Sequence, residues 1–181
     1  MSARSKPEPE GLQPKGSEAD PVSDGTGKHL TELELRAWTG FLDASRMLEE
    51  RLANQLSEHF DMSHRDYEVL VRLDGAGGRL RMSELAVQMV ASQPLMSQTV
   101  NRLEKRGWVV REESTIDRRS IEAVISDAGR AALGRSSGPH AALVKSLLLD
   151  VVAESSLDEF SNSINRVAAR LRDHRRRHRP Q

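Results

Sequence analysis

MSELAVQMVASQPLMSQTVNRLEKRGWVVREESTIDRRSIEAVISDAGR, residues 82–130, carries two helical periodicities followed by two short β-prone runs. In the first helix Leu85, Ala86 and Met89 form one apolar stripe, and the small Ala86 lets a second helix cross closely. Ser92 offers a side-chain oxygen to the unpaired amides of that second helix, where Pro94 is tolerated because first-turn amides lack partners anyway. Leu95 or Met96, then Val100 and Leu103, line its apolar side. Arg102, Lys105 and Arg106 suit the negative end of the helix dipole, and Gly107 supplies a left-handed stop. Trp108 to Arg111 and Ile121 to Ile125 read as strands. Arg111 to Ser120 between them is too polar for core, and Ser126 opens another helix. Two helices and a hairpin in this order predict a winged helix-turn-helix: mainly α, with a small β-hairpin wing.

A helix that enters the major groove needs short polar side chains near its N-terminus. Ser92, Gln93, Pro94, Ser97, Gln98, Asn101 and Arg102 are placed for that role. A bidentate Gln98–adenine pair contributes about 1–3 kcal/mol of discrimination. The adjacent Arg118 and Arg119 at the hairpin tip suit a narrow minor groove, with Asp117 two residues before Arg119 to hold its guanidinium. Arg81, Ser83, Lys105 and Arg111 flank these groups as phosphate contacts.

The block resembles the MarR (multiple-antibiotic-resistance regulator) family of bacterial transcription factors. The resemblance rests on Ser83-Glu84-Leu85-Ala86, on Val100 to Gly107 as V-x-R-L-E-x-x-G, and on Trp108-Val109-Val110-Arg111, Asp117-Arg118-Arg119 and Ile125-Ser126-x-x-Gly129. It covers residues 30–173 and implies an obligate homodimer on a pseudo-palindromic operator, usually as a repressor. By position Ser97 and Gln98 resemble base-reading residues, Arg119 the wing arginine and Asp117 its orienting partner. Leu95 stands where the family commonly has a small hydroxyl residue, Gln98 where arginine is frequent, and Trp108 where leucine is usual, so the family's operator sequence does not carry over. The resemblance also implies a small, often anionic aromatic effector between the dimer bundle and the DNA-binding lobe. Trp38, His59, His64, Arg65 and Tyr67 are the side chains expected near it.

A chain of 181 residues is one ordinary domain with tails. It contains no cysteine, which excludes disulfides, thiolate metal sites and a thiol redox switch. No apolar run is long enough to span a membrane and no signal peptide opens the chain, so a cytoplasmic protein is expected. Zero net charge hides segregation: −5 over residues 31–75, +2 over 76–130 and +6 over 166–181. Nothing resembles a nucleophile–base pair, paired catalytic carboxylates or a phosphate loop, so neither an enzyme nor a cofactor is expected. His174 and His178 share a helix face, but the surrounding arginines disfavour a metal dication there.

Outside the reader, residues 1–28 are Pro-, Gly- and Ser-rich and read as a disordered tail. Residues 29–173 form a single domain, with 62–127 as the DNA-binding lobe and 29–61 and 128–173 as dimerisation helices; 174–181 form a basic tail. Leu35, Trp38, Leu42, Leu48, Leu52, Leu56 and Phe60 mark one long helix, and Ser63-x-x-Asp66 a capping box opening the next. In that next helix Tyr67, Leu70, Val71 and Leu73 are expected to pack inward. Ser136 to Pro139 should break or bend the helix after the wing. Leu143 to Val152, apolar on nearly every side, and the stripe Leu157, Phe160, Ile164, Val167 and Leu171 should face a second subunit. The run Arg175 to Arg179 is read as solubilising a helix end rather than touching DNA. Two other readings share this sequence: a constitutive architectural DNA-binding protein without an effector, and a winged helix used for protein–protein contact.

Overall fold

The computed structural model describes residues 29–114, 117 and 119–177, without the Arg176 side chain. The expected tail 1–28, the wing residue Arg118 and residues 178–181, including His178, lie outside the described residues. The elements run α1 (Glu32–Phe60), α2 (His64–Gly75), β1 (Arg79–Arg81), α3 (Met82–Gln88), α4 (Gln93–Lys105), β2 (Val109–Glu113), β3 (Ile121–Ile125), α5 (Asp127–Leu147) and α6 (Leu157–Arg177). Single 3-10 turns at Leu149–Val151 and Glu154–Ser156 join the last two helices. The chain divides into two compact units between Trp38 and Thr39.

In the first unit a reciprocal box starts α1. The Glu34 amide donates to Thr31 Oγ1 at 3.3 Å, and the Thr31 amide donates to Glu34 Oε2 at 2.8 Å. The Thr31 amide and hydroxyl together hold the Glu34 carboxyl below the usual carboxylate range. Leu30, Leu33, Leu35 and Trp38 are largely exposed.

In the second unit the core gathers Val69, Leu70 and Leu73 of α2, Leu85 and Ala86 of α3, Met96, Val100 and Leu103 of α4, and Val109, Ala123 and Ile125 of the sheet. Each helix gives one stripe at 3.6 periodicity. In α2 it is Asp66, Val69, Leu70 and Leu73, so Val71, expected inside, is exposed and Val69 takes its place. In α4 it is Met96, Thr99, Val100 and Leu103, which resolves the Leu95/Met96 alternative in favour of Met96.

The expected hairpin wing of β2 and β3 is present and gains a third strand, while the expected helix break at Pro139 is corrected. The wing hairpin belongs to a three-stranded antiparallel sheet of order β1-β3-β2, with Leu80 opposite Ala123 and Val109 opposite Ile125. β1 escapes a pattern reading because it is only Arg-Leu-Arg after the Gly77-Gly78 turn. Pro139 does not interrupt α5, which runs continuously from Asp127 to Leu147. Buried Ser136 and His140 anchor the turns on both sides of the proline, and Gln55 Nε2 of α1 donates to its carbonyl at 3.0 Å. Tertiary contacts outweigh the one lost helical donor. α6 continues to Arg177, so the first four residues of the expected basic tail are helical.

Candidate nucleic-acid interface

The tight turn before α4 sets how that helix is presented. Val90 lies at φ 51°, the left-handed position that ends α3, and the Ala91 amide returns to the Ala86 carbonyl at 2.9 Å. A β-branched residue there costs about 1–2 kcal/mol, sustained by the burial of Leu85 and Ala86 beside it. Ser92 Oγ accepts the Leu95 amide at 3.4 Å, as its position in the sequence suggests. At the other end Gly107 (φ 70°) closes α4 through Trp108 N to Leu103 O at 2.9 Å and Gly107 N to Glu104 O at 2.8 Å. Between these caps Ser92, Gln93, Pro94, Ser97, Gln98 and Asn101 are all exposed.

Three arginines lock α4 to its surroundings. Arg102 Nη2 and Nε donate to Asp66 Oδ1 at 2.6 and 3.1 Å, and Asp66 is only 1% exposed. Arg106 donates to the carbonyl and carboxylate of Asp61, itself at φ 50°, and stacks 3.8 Å from the Trp108 ring centroid. Arg111 on β2 reaches Glu104 Oε2 at 2.5 Å and the Ser97 carbonyl at 2.9 Å, stapling the wing to the helix. Arg102 and Arg111, placed by sequence among the DNA contacts, are thus committed within the lobe. Asp66 was legible only as a capping residue. Its hydroxyl partner does cap α2, with Asp66 N to Ser63 Oγ at 3.1 Å, while its carboxylate serves Arg102 instead.

In the sheet Glu112 and Glu122 stand directly opposite, an unfavourable like-charge pair that Arg79 bridges at 3.0 and 3.3 Å. The Ser114 hydroxyl donates to buried Glu122 at 2.7 Å. At the tip Asp117 Oδ1 accepts the Arg119 backbone amide at 3.1 Å, and the Asp117 carbonyl accepts from Ser120. Asp117 therefore shapes the turn through the backbone, and among the described residues it forms no ion pair with the Arg119 guanidinium. Of the flanking set Arg81 is half-buried, while Ser83 and Lys105 are exposed.

Within the second unit the side chains expected around an effector separate into different places. Trp38 lies in the first unit and Arg65 is exposed. His59 lines an open cleft of about 410 Å³ with Phe60 and Asp61 of the α1–α2 junction and Ala132 and Arg135 of α5. His64 and Tyr67 gather instead around His140, their ring centroids 5.7 and 4.3 Å from its own. His140 is 6% exposed and its Nδ1 has no hydrogen-bond partner. Sequence offered no signal for it, since it follows the expected helix break at Pro139.

Burial first, and the neighbouring His64 second, push the His140 pKa below its ordinary 6.5. The unfolded chain takes up a proton that the folded one refuses. Stability should therefore be complete above that pH and fall as pH drops through it toward the folded-state value. Melting temperature measured between about pH 8 and pH 5 should fall more for wild type than for His140→Phe, which keeps a ring beside Tyr67 but cannot titrate.

A capped helix offering uncharged polar side chains, stapled to an arginine-tipped antiparallel wing, defines a winged helix-turn-helix protein of the DNA-binding class. A family model described as MarR family matches residues 60–120. AbsC, a MarR family transcriptional regulator from Streptomyces coelicolor, is 32% identical, with 81% of this chain and 99% of that chain covered and a TM-score of 0.77. A second MarR family regulator from that organism, solved in complex with DNA, is 32% identical over 80% of this chain and 91% of its own, with a TM-score of 0.75. The HTH-type transcriptional regulator PecS of Dickeya dadantii is 25% identical over 103 residues, 56% of this chain and 62% of PecS, so the match spans less than two thirds of that protein. The chain belongs to the MarR family of DNA-binding transcription regulators. Among the described residues no helix is long and apolar enough to cross a membrane.

Proposed function

We propose that the chain is a homodimeric, effector-responsive repressor that reads a pseudo-palindromic operator with α4 and grips the adjacent minor groove with Arg119. The observation that carries this reading is the division of α4. Met96, Thr99, Val100 and Leu103 are buried, which leaves Gln93, Ser97 and Gln98 outward in the half nearest the Ser92 cap and Asn101 outward beyond them. Arg81, Ser83 and Lys105 supply phosphate contacts. Leu147, Leu149, Val151, Ile164, Val167 and Leu171 remain exposed along the end of α5, the turn beyond it and α6, and a second copy would cover them. The cleft beside His59, lined by Arg135 as well as Glu58 and Asp61, is the place we assign to a small ligand. Such a ligand would act by favouring one spacing of the two α4 helices over another.

The test is fluorescence anisotropy on an operator fragment recovered by footprinting genomic DNA. Arg119→Ala should weaken binding and reduce preference for A·T flanks. Gln98→Ala should relax specificity at one base pair, a loss of about 1–3 kcal/mol there. Wild-type behaviour in both variants would sink the contact assignment, and a stable monomer in dilute solution would sink the dimer.

A further inference from the structure

The winged lobe has little positive charge to offer DNA. Its net charge is only +2 over residues 76–130. Arg79, Arg102, Arg106, Arg111 and Arg130 are each paired with a carboxylate: Glu112 and Glu122, Asp66, Asp61, Glu104 and Asp74 respectively. Among the described residues of the lobe Arg81, Lys105 and Arg119 stay outside these pairs, and a larger reserve of cations lies on α6. Residues 166–181 carry +6, and among the described residues none of Arg170, Arg172, Arg175 and Arg177 on α6 forms an ion pair.

α6 brings these charges to the reader. Arg175 Nη1 donates to the carbonyl of Val90, 85 residues earlier in the chain. Val90 is the left-handed residue of the turn that joins α3 to α4, so Arg175 reaches from the last turns of α6 to the helix-turn-helix. Arg170, Arg172 and Arg177, all exposed, extend from this anchor.

We propose that the arginine-rich end of α6 is a second contact to the DNA backbone, gripping phosphates that flank the half-site read by α4. The inference rests on the DNA-reading role given to α4 and adds to it a sequence-independent term. Phosphate neutralisation releases counterions, so its signature is salt dependence rather than base preference.

In the full chain, Arg170, Arg172 and Arg177 are changed together to Gln, with Arg175 kept to hold α6 in place. Binding to a labelled random-sequence duplex of about 40 base pairs is followed by anisotropy as KCl rises from about 50 to 200 mM. The slope of log affinity against log salt should become shallower by roughly 0.9 for each phosphate left without its arginine, with affinity at low salt down about tenfold. The triple Lys variant should keep the wild-type slope, because a point charge suffices for phosphate. An unchanged slope in the Gln variant overturns this inference and leaves the α4 reading standing. Equal weakening in the Gln and Lys variants, whether or not helical circular dichroism is retained, also overturns it by showing that charge is not the cause. A wild-type chain that binds no duplex at low salt overturns both readings.

Discussion

Arg102→Ala should cost about 2–3 kcal/mol of folding stability, because it strands a carboxylate in the interior. The Asp66 side chain is 2% exposed, whereas the Arg102 side chain is 49% exposed. That asymmetry sets the magnitude. A fully buried pair broken on one side loses about 3–5 kcal/mol, and the solvent reaching Arg102 reduces what its charge supplies. The double variant Asp66→Leu with Arg102→Met should recover most of the loss, since the desolvation cost disappears with the charges. Urea unfolding of the four-member cycle measures the coupling. The same variants separate two roles for Arg102. If it anchors α4, stability falls, and DNA affinity falls only as far as the helix is misplaced; the double variant then restores both. If it reads a base, Arg102→Ala unfolds at the wild-type urea concentration, and specificity at one position disappears without recovery in the double variant.

That ambiguity explains how much of the interface the sequence could yield. Ser92, Gly107 and Ser126 act through their own backbone neighbourhoods, so their capping roles follow from local spacing, and each does cap or stop a helix. The stripe of α4 is likewise local. What fixes α4 in space is not: Asp66 meets Arg102 across 36 positions and Asp61 meets Arg106 across 45. A run of carboxylates and a run of guanidinium groups give no clue to their pairing until the chain is folded. Pro139 shows the same limit from the opposite side. Local propensity predicts a break, but burial of Ser136 and His140 holds the helix together through it. The effector residues failed to cluster for a related reason: His59, His64 and Tyr67 are close in sequence, yet the left-handed Asp61 between α1 and α2 sends His59 to one cleft and the other two toward His140.

Gly129→Ala should be still more damaging than the loss of Arg102, at about 3 kcal/mol or above, because the added methyl meets backbone. A Cβ at Gly129 would lie inside contact distance of the Trp108 carbonyl oxygen and 2.9 Å from Ile125 Cγ1. That carbonyl cannot swing aside, since it accepts the Ser126 amide at 3.0 Å, while Ser126 Oγ donates to the Gly107 carbonyl at 2.6 Å. Ser126 Oγ also accepts the Gly129 amide at 3.0 Å, so the start of α5, the end of α4 and the root of β2 meet at one residue, through its hydroxyl and its amide. Relief of the clash must push α5 away from the wing, which loosens the sheet edge that carries Arg119. DNA affinity should therefore fall along with the unfolding midpoint. Gly134→Ala is the matched control: it lies in the same helix with nothing within 4 Å of an added Cβ. It should stabilise by about 0.5–1 kcal/mol through reduced backbone entropy in the unfolded chain. Opposite signs at these two glycines, read by chemical denaturation, would tie the loss to the close approach at Trp108. A Gly129→Ala chain as stable as wild type would mean that α5 and the wing are not packed as described.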